Sequence, residues 1–543
     1  MHLVASRSLA RFHGSRGSVN RSIAAASVPI AASESTLGLL HAIQGPALDD
    51  SGGVGSVLSA SGGLAKVSFP GAVSVGSSVD FGKGLQGMVL QFDRKGAIVA
   101  PLSPILPRVG SEACMKGPLS VRGCLPETEP GRVAFKSVAD ILVSEDVATN
   151  SAHGILRLPS MPSPPTRRPV KQHLPSGLAT VEALLPLGRG QRVGLVGPSG
   201  TGKTAAAKML LASQPKDTIC IYAAQRPLER LQKELKELCS APLTVLYADP
   251  ARDALLNRYL VPICALQMAS QLRASHCQVV LILDDLVDFA AAAAELELVV
   301  GTGSRGPLPL SVPHVLGSAL DVGGSVLMHD KNEHSLTVLP ILDLDPNDEL
   351  PSAIRNLWRG VEPSLDVCLR FSAELAMSRI FPAIDPKELL PSCFAPTFQA
   401  PLLKLLRAEL RLALRNGYDL EERMQLSKQL GLESELDEVE DLGSSATTRA
   451  LLSHSSARSL QELAVLLCAA IVYRLPSKRP SPGAVASFQR AVLDMIQSQH
   501  PVLWDSLQSL ENSPDGDAQT TLRELGETLL QHRFDFELTR PDL

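Results

Sequence analysis

The chain has 543 residues, too many for one ordinary core, so two to four domains are expected. Its 51 basic and 56 acidic side chains leave a formal charge of −5, and aromatic residues make up only 4%. That balance argues against a nucleic-acid binder, which needs a basic footprint and stacking platforms.

The first residues, "MHLVASRSLARFHGSRGSVNRSIAAASVPIAASE", carry Arg7, Arg11, Arg16 and Arg21 and no acid before Glu34. This composition resembles a mitochondrial transit peptide, expected over 1–35. Residues 36–103 alternate apolar and polar positions between glycine turns, as in "GGLAKVSFPGAVSVGSSVDFGKGLQGMVLQF". An N-terminal antiparallel β-barrel is expected there. The pattern weakens after 104, and "LPSMPSPPTRRPVKQHLPSG" is proline-rich, hence extended and poor in regular structure.

From 177 to about 395 apolar strand-like runs alternate with helical stretches: "QRVGLVG" then "KTAAAKMLLAS", "TICIYAA" then "LERLQKELKELC", "QVVLILDDL", and later "SLTVLPILD". This is the pattern of a mostly parallel sheet covered by helices on both faces. Beyond 396 the period changes to about 3.6 residues, which predicts a C-terminal α-helical bundle. The chain thus reads as multidomain α/β, with 104–395 as a central RecA-like P-loop domain. The longest apolar run, "LAVLLCAAIVY" at Leu463–Tyr473, falls short of the ~20 residues of a membrane span. Nine scattered cysteines without a C-x-x-C pair read as reduced, packed thiols.

Chemistry concentrates in "GLVGPSGTGKT". Gly197, Gly200 and Gly202 let the backbone of Gly197–Thr204, through Pro198, Ser199 and Thr201, turn its N–H groups toward phosphate oxygens. Lys203 would reach the terminal phosphates and the Thr204 hydroxyl would ligate Mg2+. An acid ending a neighbouring strand should complete the metal site; of Asp284 and Asp285 in "QVVLILDDL", Asp284 is favoured.

These segments together resemble the alpha subunit of F-type ATP synthases. The likeness rests on "GLATVEALLPLGRGQRVGLVGPSGTGKT", on the barrel-like segment, on "VVLILDDL" and "SLTVLPILD", and on "LPSKRPSPGAVASFQRAVLDMIQSQHPVLWDSL" near the end. It implies ATP or ADP with Mg2+ as ligand, and a hexameric ring alternating with catalytic beta-type subunits around central and peripheral stalks. It also implies a peripheral place on the matrix side of the mitochondrial inner membrane, serving ATP synthesis coupled to proton transport, with neither a membrane span nor nucleic acid involved.

Beta subunits of that family carry a water-activating Glu where alpha subunits have Gln; in "IYAAQRPLERL" the matching residue is Gln225. An amide is no general base near neutral pH, so the site is expected to hold nucleotide without hydrolysing it.

The chain also departs from the family pattern. Gly200 stands where the family's loop has Gln. The arginine that alpha subunits extend into the neighbouring site falls on or near Ser392, with Arg379 and Lys387 as possible substitutes. Gly417, Asp419 and Leu420 match a Gly-x-Asp-Leu turn. The acidic run from Glu433 reads as a solvated face. Two other readings compete with a working subunit: an alpha-like paralogue acting as an assembly or regulatory factor that binds beta-type subunits, and an independent ring ATPase, against which Gln225 argues.

Overall fold

The computed structural model describes residues 53–532 except 72, 94–95, 123–130, 145–152, 156–161, 163–165, 239, 276–277, 301–315, 318, 329–331, 345–351, 378–380, 385–400, 431–458, 473–481 and 513–517. The leader-like stretch 1–35 and the acidic run from Glu433 lie outside the described residues.

Six strands form the N-terminal unit: β1 (Val54–Ser61), β2 (Leu64–Ser68), β3 (Ser77–Asp80), β4 (Gln86–Asp93), β5 (Gly96–Pro101) and β6 (Glu112–Arg122). Their order is β1-β2-β5-β4-β3-β6, and β6 pairs back onto β1, so the antiparallel sheet closes on itself. Closure removes both open edges. Inward positions such as Val57, Val67, Val79, Val89 and Val99 form the barrel's own core. The sixth strand lies past the boundary expected at 103. Its "EACMKGPLSVR" interrupts alternation with Gly117 and Pro118, which hides the strand from a period-two reading.

Six short strands come next: β7 (Val133–Ser137), β8 (Leu142–Ser144), β9 (His153–Ile155), β10 (Arg167–Arg168), β11 (His173–Leu174) and β12 (Leu187–Gly188). The central sheet adds β13 (Val193–Gly197), β14 (Ile219–Ala224), β15 (Leu243–Tyr247), β16 (Gln278–Asp284), β17 (Gly324–Leu327), β18 (Glu333–Asp343) and β19 (Val367–Arg370). It has nine strands, and its parallel part runs β19-β13-β18-β16-β14-β15-β7. β17 and β10 extend it antiparallel from the first half of β18.

All six residues of β14 are buried, as expected for a strand covered on both faces. Its Cys220, Tyr222 and Ala224 face the helices Lys203–Ala212 and Leu228–Leu235. The alternate Ile219, Ile221 and Ala223 face the helices Leu255–Ser275 and Leu286–Val300.

The C-terminal region is helical: Pro401–Leu430, Leu460–Val472, Pro482–Gln499, Pro501–Asn512 and Ala518–Gln531. Gly417–Leu420, expected as a turn, lies inside the uninterrupted helix Pro401–Leu430. One glycine costs such a helix only ~1 kcal/mol, which buried Leu406, Leu410 and Leu414 offset. Arg407 Nε donates to the Ala183 carbonyl at 3.2 Å and Arg411 Nη2 to that of Leu184 at 2.9 Å. These bonds cap the short helix Ala179–Leu184 and tie the helical region to the central domain.

No helix among the described residues is long and apolar enough to cross a membrane. Among the described residues Cys114, Cys220, Cys264, Cys368 and Cys468 are free thiols.

Arg192 pins the beginning of the sheet. Its Nη2 and Nε meet Asp366 Oδ1 and Oδ2 at 2.7 and 3.0 Å, and its Nη1 meets Asp321, joining the segments that lead into β13, β19 and β17. Arg192→Met should therefore lower unfolding stability by roughly 1–3 kcal/mol in urea titration. Arg252→Ala, which loses an exposed pair with Glu229 and a longer 3.8 Å contact with Asp249, should cost clearly less than Arg192→Met. Equal losses would refute a clamp at Arg192.

Candidate nucleotide site

The parallel register brings the chemistry to one edge. Gly197 at the end of β13 pairs with Asp343 at the end of β18, and Ala224 at the end of β14 pairs with Asp284 at the end of β16. Loops beyond the carboxyl ends of parallel strands are where such sheets bind ligands.

The loop Gly197–Thr204 leaves β13 and opens the helix Lys203–Ala212. Gly200 and Gly202 have φ of 81° and 91°, the left-handed region that a side chain would strain. A Cβ at Gly197 would sit 2.5 Å from the Phe371 carbonyl oxygen, so only glycine fits between β13 and the segment after β19. Gly202 caps the helix without a side-chain bond, which leaves the first-turn N–H groups for a phosphate.

Lys203 is only 3% exposed. Its Nζ donates to the Gly197 and Pro198 carbonyls at 2.7 and 2.6 Å and pairs with Asp343 Oδ1 at 2.6 Å. Thr201 Oγ1 donates to the Pro198 carbonyl at 2.8 Å, closing the turn on itself.

Thr204 and Asp284, the expected metal pair, come together: the hydroxyl donates to the two carboxylate oxygens at 3.4 and 3.3 Å. Asp284 is 1% exposed and has two more donors. Tyr222 gives it a short hydroxyl bond, and Arg226 Nη2 lies 3.1 Å from Oδ1 and 2.9 Å from Oδ2. Burial pushes the Asp284 carboxyl above the ordinary range, against the pull of Arg226, Tyr222 and Thr204. Burial and then Asp284 push the Tyr222 phenol well up, so it stays a donor. Burial works to lower Arg226, but Asp284, Tyr222, Glu234 and Asp285 together outweigh it and the guanidinium is held above its usual value.

Gln225 lies on the same turn and faces the other way. Its Nε2 donates to the Arg258 and Asp288 carbonyls at 3.2 and 3.3 Å, while Arg258 Nε donates to its Oε1 at 3.2 Å. The residue from this turn that meets Thr204 is Arg226, with Nη2 3.4 Å from Oγ1. Sequence reasoning passed over Arg226, Tyr222 and Asp343. Asp343 carried the signal that found Asp284, an acid ending an apolar strand. Tyr222 and Arg226 gave none, because their roles depend on β14 lying beside β16.

Between Arg379 and Lys387, the residues Pro382, Ala383 and Ile384 are described: Ser372 N donates to the Ala383 carbonyl at 2.8 Å, and Ile384 bridges Phe371. Arg379, Lys387 and Ser392 lie outside the described residues.

Asp285 does not join the cluster of donors. Its Oδ1 accepts the Asp288 N–H at 2.7 Å and caps the helix Leu286–Val300. Burial first, and then Asp288, push its carboxyl up to about 7. The folded chain therefore keeps a proton that the unfolded chain releases near pH ~4. Stability from this group is full below about pH 4, falls as pH rises, and is lost once pH passes about 7. Asp285→Asn keeps the capping oxygen and cannot ionise. Its advantage in melting temperature over the parent chain should be near zero at about pH 4, grow toward about pH 7 and then level off. An advantage independent of pH would rule out this titration.

Residues 177–390 match the ATP synthase alpha/beta family, nucleotide-binding domain. Over 479 residues the chain is 26% identical to an ATP synthase subunit alpha from Anaplasma marginale strain Florida, and equally so to one from strain St. Maries. Each alignment covers 84% of this chain and 90% of the relative. With a closed barrel before them and helices after them, residues 177–390, which hold this phosphate loop, match the nucleotide-binding domain of the ATP synthase alpha/beta family, and the chain as a whole is similar to ATP synthase alpha subunits.

Proposed function

We propose that the chain is a nucleotide-holding, non-hydrolysing alpha-type subunit of a proton-translocating ATP synthase, assembled in a ring with catalytic beta-type subunits and in contact with the stalks. The observation that carries this reading is the pairing of a glycine-turned phosphate loop and buried Lys203 with an amide, not a carboxylate, after β14. Gln225 has its amide engaged by Arg258 and Asp288. Asp284 is ion-paired to Arg226, so it is not poised to take a proton from water. The relatives are named as ATP synthase subunit alpha, which supports the ring as context. The acid-free, arginine-bearing leader supports a place on the matrix side of the mitochondrial inner membrane.

The residues fit the phosphates of ATP or ADP. The fit to Mg2+ is poorer: Thr204 and Asp284 are side by side, but Arg226 is seated on both. Phosphates arriving at the loop would draw Lys203 from Asp343, and bound nucleotide would stabilise the fold by linkage, about 2.7 kcal/mol at a hundred times Kd.

The purified full-length chain should retain ATP and release phosphate far more slowly than about 1 s⁻¹. Lys203→Ala should lose the retained nucleotide and the thermal shift that ATP produces. Steady phosphate release that disappears in Lys203→Ala would show instead a catalytic site. On native gels the chain should migrate with beta-type subunits in the whole synthase; migration only in a small intermediate would favour an assembly factor.

A further inference from the structure

Beside Thr204 and Asp284, the residues that would hold a divalent cation, stands a cation the chain supplies itself. A metal at such a site would be held by the Thr204 hydroxyl and the Asp284 carboxylate. Arg226 Nη2 reaches both of them: 2.9 and 3.1 Å to the two carboxylate oxygens and 3.4 Å to Thr204 Oγ1. Tyr222 adds its hydroxyl to Oδ2 from the buried side. The carboxylate thus accepts from three side chains, and a metal bound to it directly would have to displace the guanidinium or share its oxygens with a like charge.

The backbone holds Arg226 in this place. It occupies the short connection between β14 and the helix Leu228–Leu235. Gln225 before it is anchored on Arg258 and Asp288. Pro227 after it has its φ restricted to −58° by the ring and serves as the helix N-cap. A guanidinium does not lose its proton in proteins, so the charge is permanent. The hydrogen bonds to Asp284 and Thr204 use only Nη2. Nη1 and Nε keep the fork geometry that suits phosphate oxygens.

Resting on the nucleotide-binding reading above, we propose that Arg226 stands in for the divalent cation, so that the site takes a nucleoside di- or triphosphate with little dependence on Mg2+. Arg226 balances the Asp284 charge permanently, and its remaining N–H groups offer the phosphates the positive field that a metal would otherwise supply.

The test uses the full-length chain, ATP titration by calorimetry, and Mn2+ as a divalent probe visible by electron paramagnetic resonance. The parent chain should bind ATP with a Kd that changes by less than about threefold between saturating Mg2+ and excess EDTA. Its ATP complex should hold no tightly bound Mn2+. Arg226→Gln leaves Asp284 uncompensated; it should lose at least about tenfold in ATP affinity in EDTA, regain it with Mg2+, and hold Mn2+. Arg226→Lys keeps a positive charge on the stem and should resemble the parent more than Arg226→Gln does. The parent-chain arms stand even where a variant folds poorly. ATP binding by the parent that collapses in EDTA, or Mn2+ held by its ATP complex, would overturn the stand-in while leaving the nucleotide site intact. Failure to bind ATP in either buffer would overturn the nucleotide reading and the stand-in with it.

Discussion

The site depends on the register of four parallel strands. β13, β14, β16 and β18 all end toward one edge, with Gly197 opposite Asp343 and Ala224 opposite Asp284. Burial on both faces holds that register. Along β14, Tyr222 belongs to one helical layer and Ile221 to the other, and a one-residue slip would exchange them. The slip would also carry the Tyr222 hydroxyl away from Asp284 and bury it against aliphatic side chains. Packing and site geometry are therefore enforced by the same contacts.

Bringing strand ends together in a dry edge creates an electrostatic cost, since Asp284 and Lys203 are almost without solvent. A buried charge left unpaired is strongly destabilising. The chain answers with its own counter-charges: Arg226 on Asp284, and Asp343 on Lys203. Charge balance at the edge is thus met before any ligand arrives. On the proposed reading, a phosphate entering the loop would take Lys203 from Asp343 and meet the first-turn N–H groups that Gly202 leaves uncapped. In that frame Gln225 is a strut: its amide ties the end of β14 to the helices Leu255–Ser275 and Leu286–Val300, which orients the next residue, Arg226, inward.

The nucleotide domain is also joined to the C-terminal helices. The helix Ala179–Leu184 precedes the phosphate-loop strand, and its final carbonyls are capped by Arg407 and Arg411 from the first long C-terminal helix. Burial, and then Arg411, push the Arg407 guanidinium down to about 10, the mark of a cation held in an apolar contact. The same hydrophobic cluster runs from Leu210 and Leu231 through Leu410 to Val465 and Leu467. The nucleotide domain and the helices are therefore packed as one body on that face.

Much of this was readable in the residues. The phosphate loop is local chemistry: glycines at fixed spacing, then Lys203 and Thr204, between an apolar strand and an alanine-rich helix. Asp284 was legible as the acid closing an apolar run, and the helical C-terminal region as a change of period. The sixth barrel strand was not, because Gly117 and Pro118 break its alternation and its partners β1 and β3 are distant in sequence. The Gly417–Leu420 stretch misled in the other direction, since a glycine that ends a helix in isolation is carried through one that buries three leucines.

The order of domains, the phosphate loop and the amide after β14 are properties of consecutive residues, and the sequence by itself determined them. Which side chain stands next to Thr204 and Asp284 was decided only by the tertiary structure. Gln225 and Arg226 are adjacent and equally polar in the sequence, and they diverge because β14 lies between β15 and β16: one side of the turn faces two helices with carbonyls to satisfy, and the other faces a buried carboxylate that requires a positive charge.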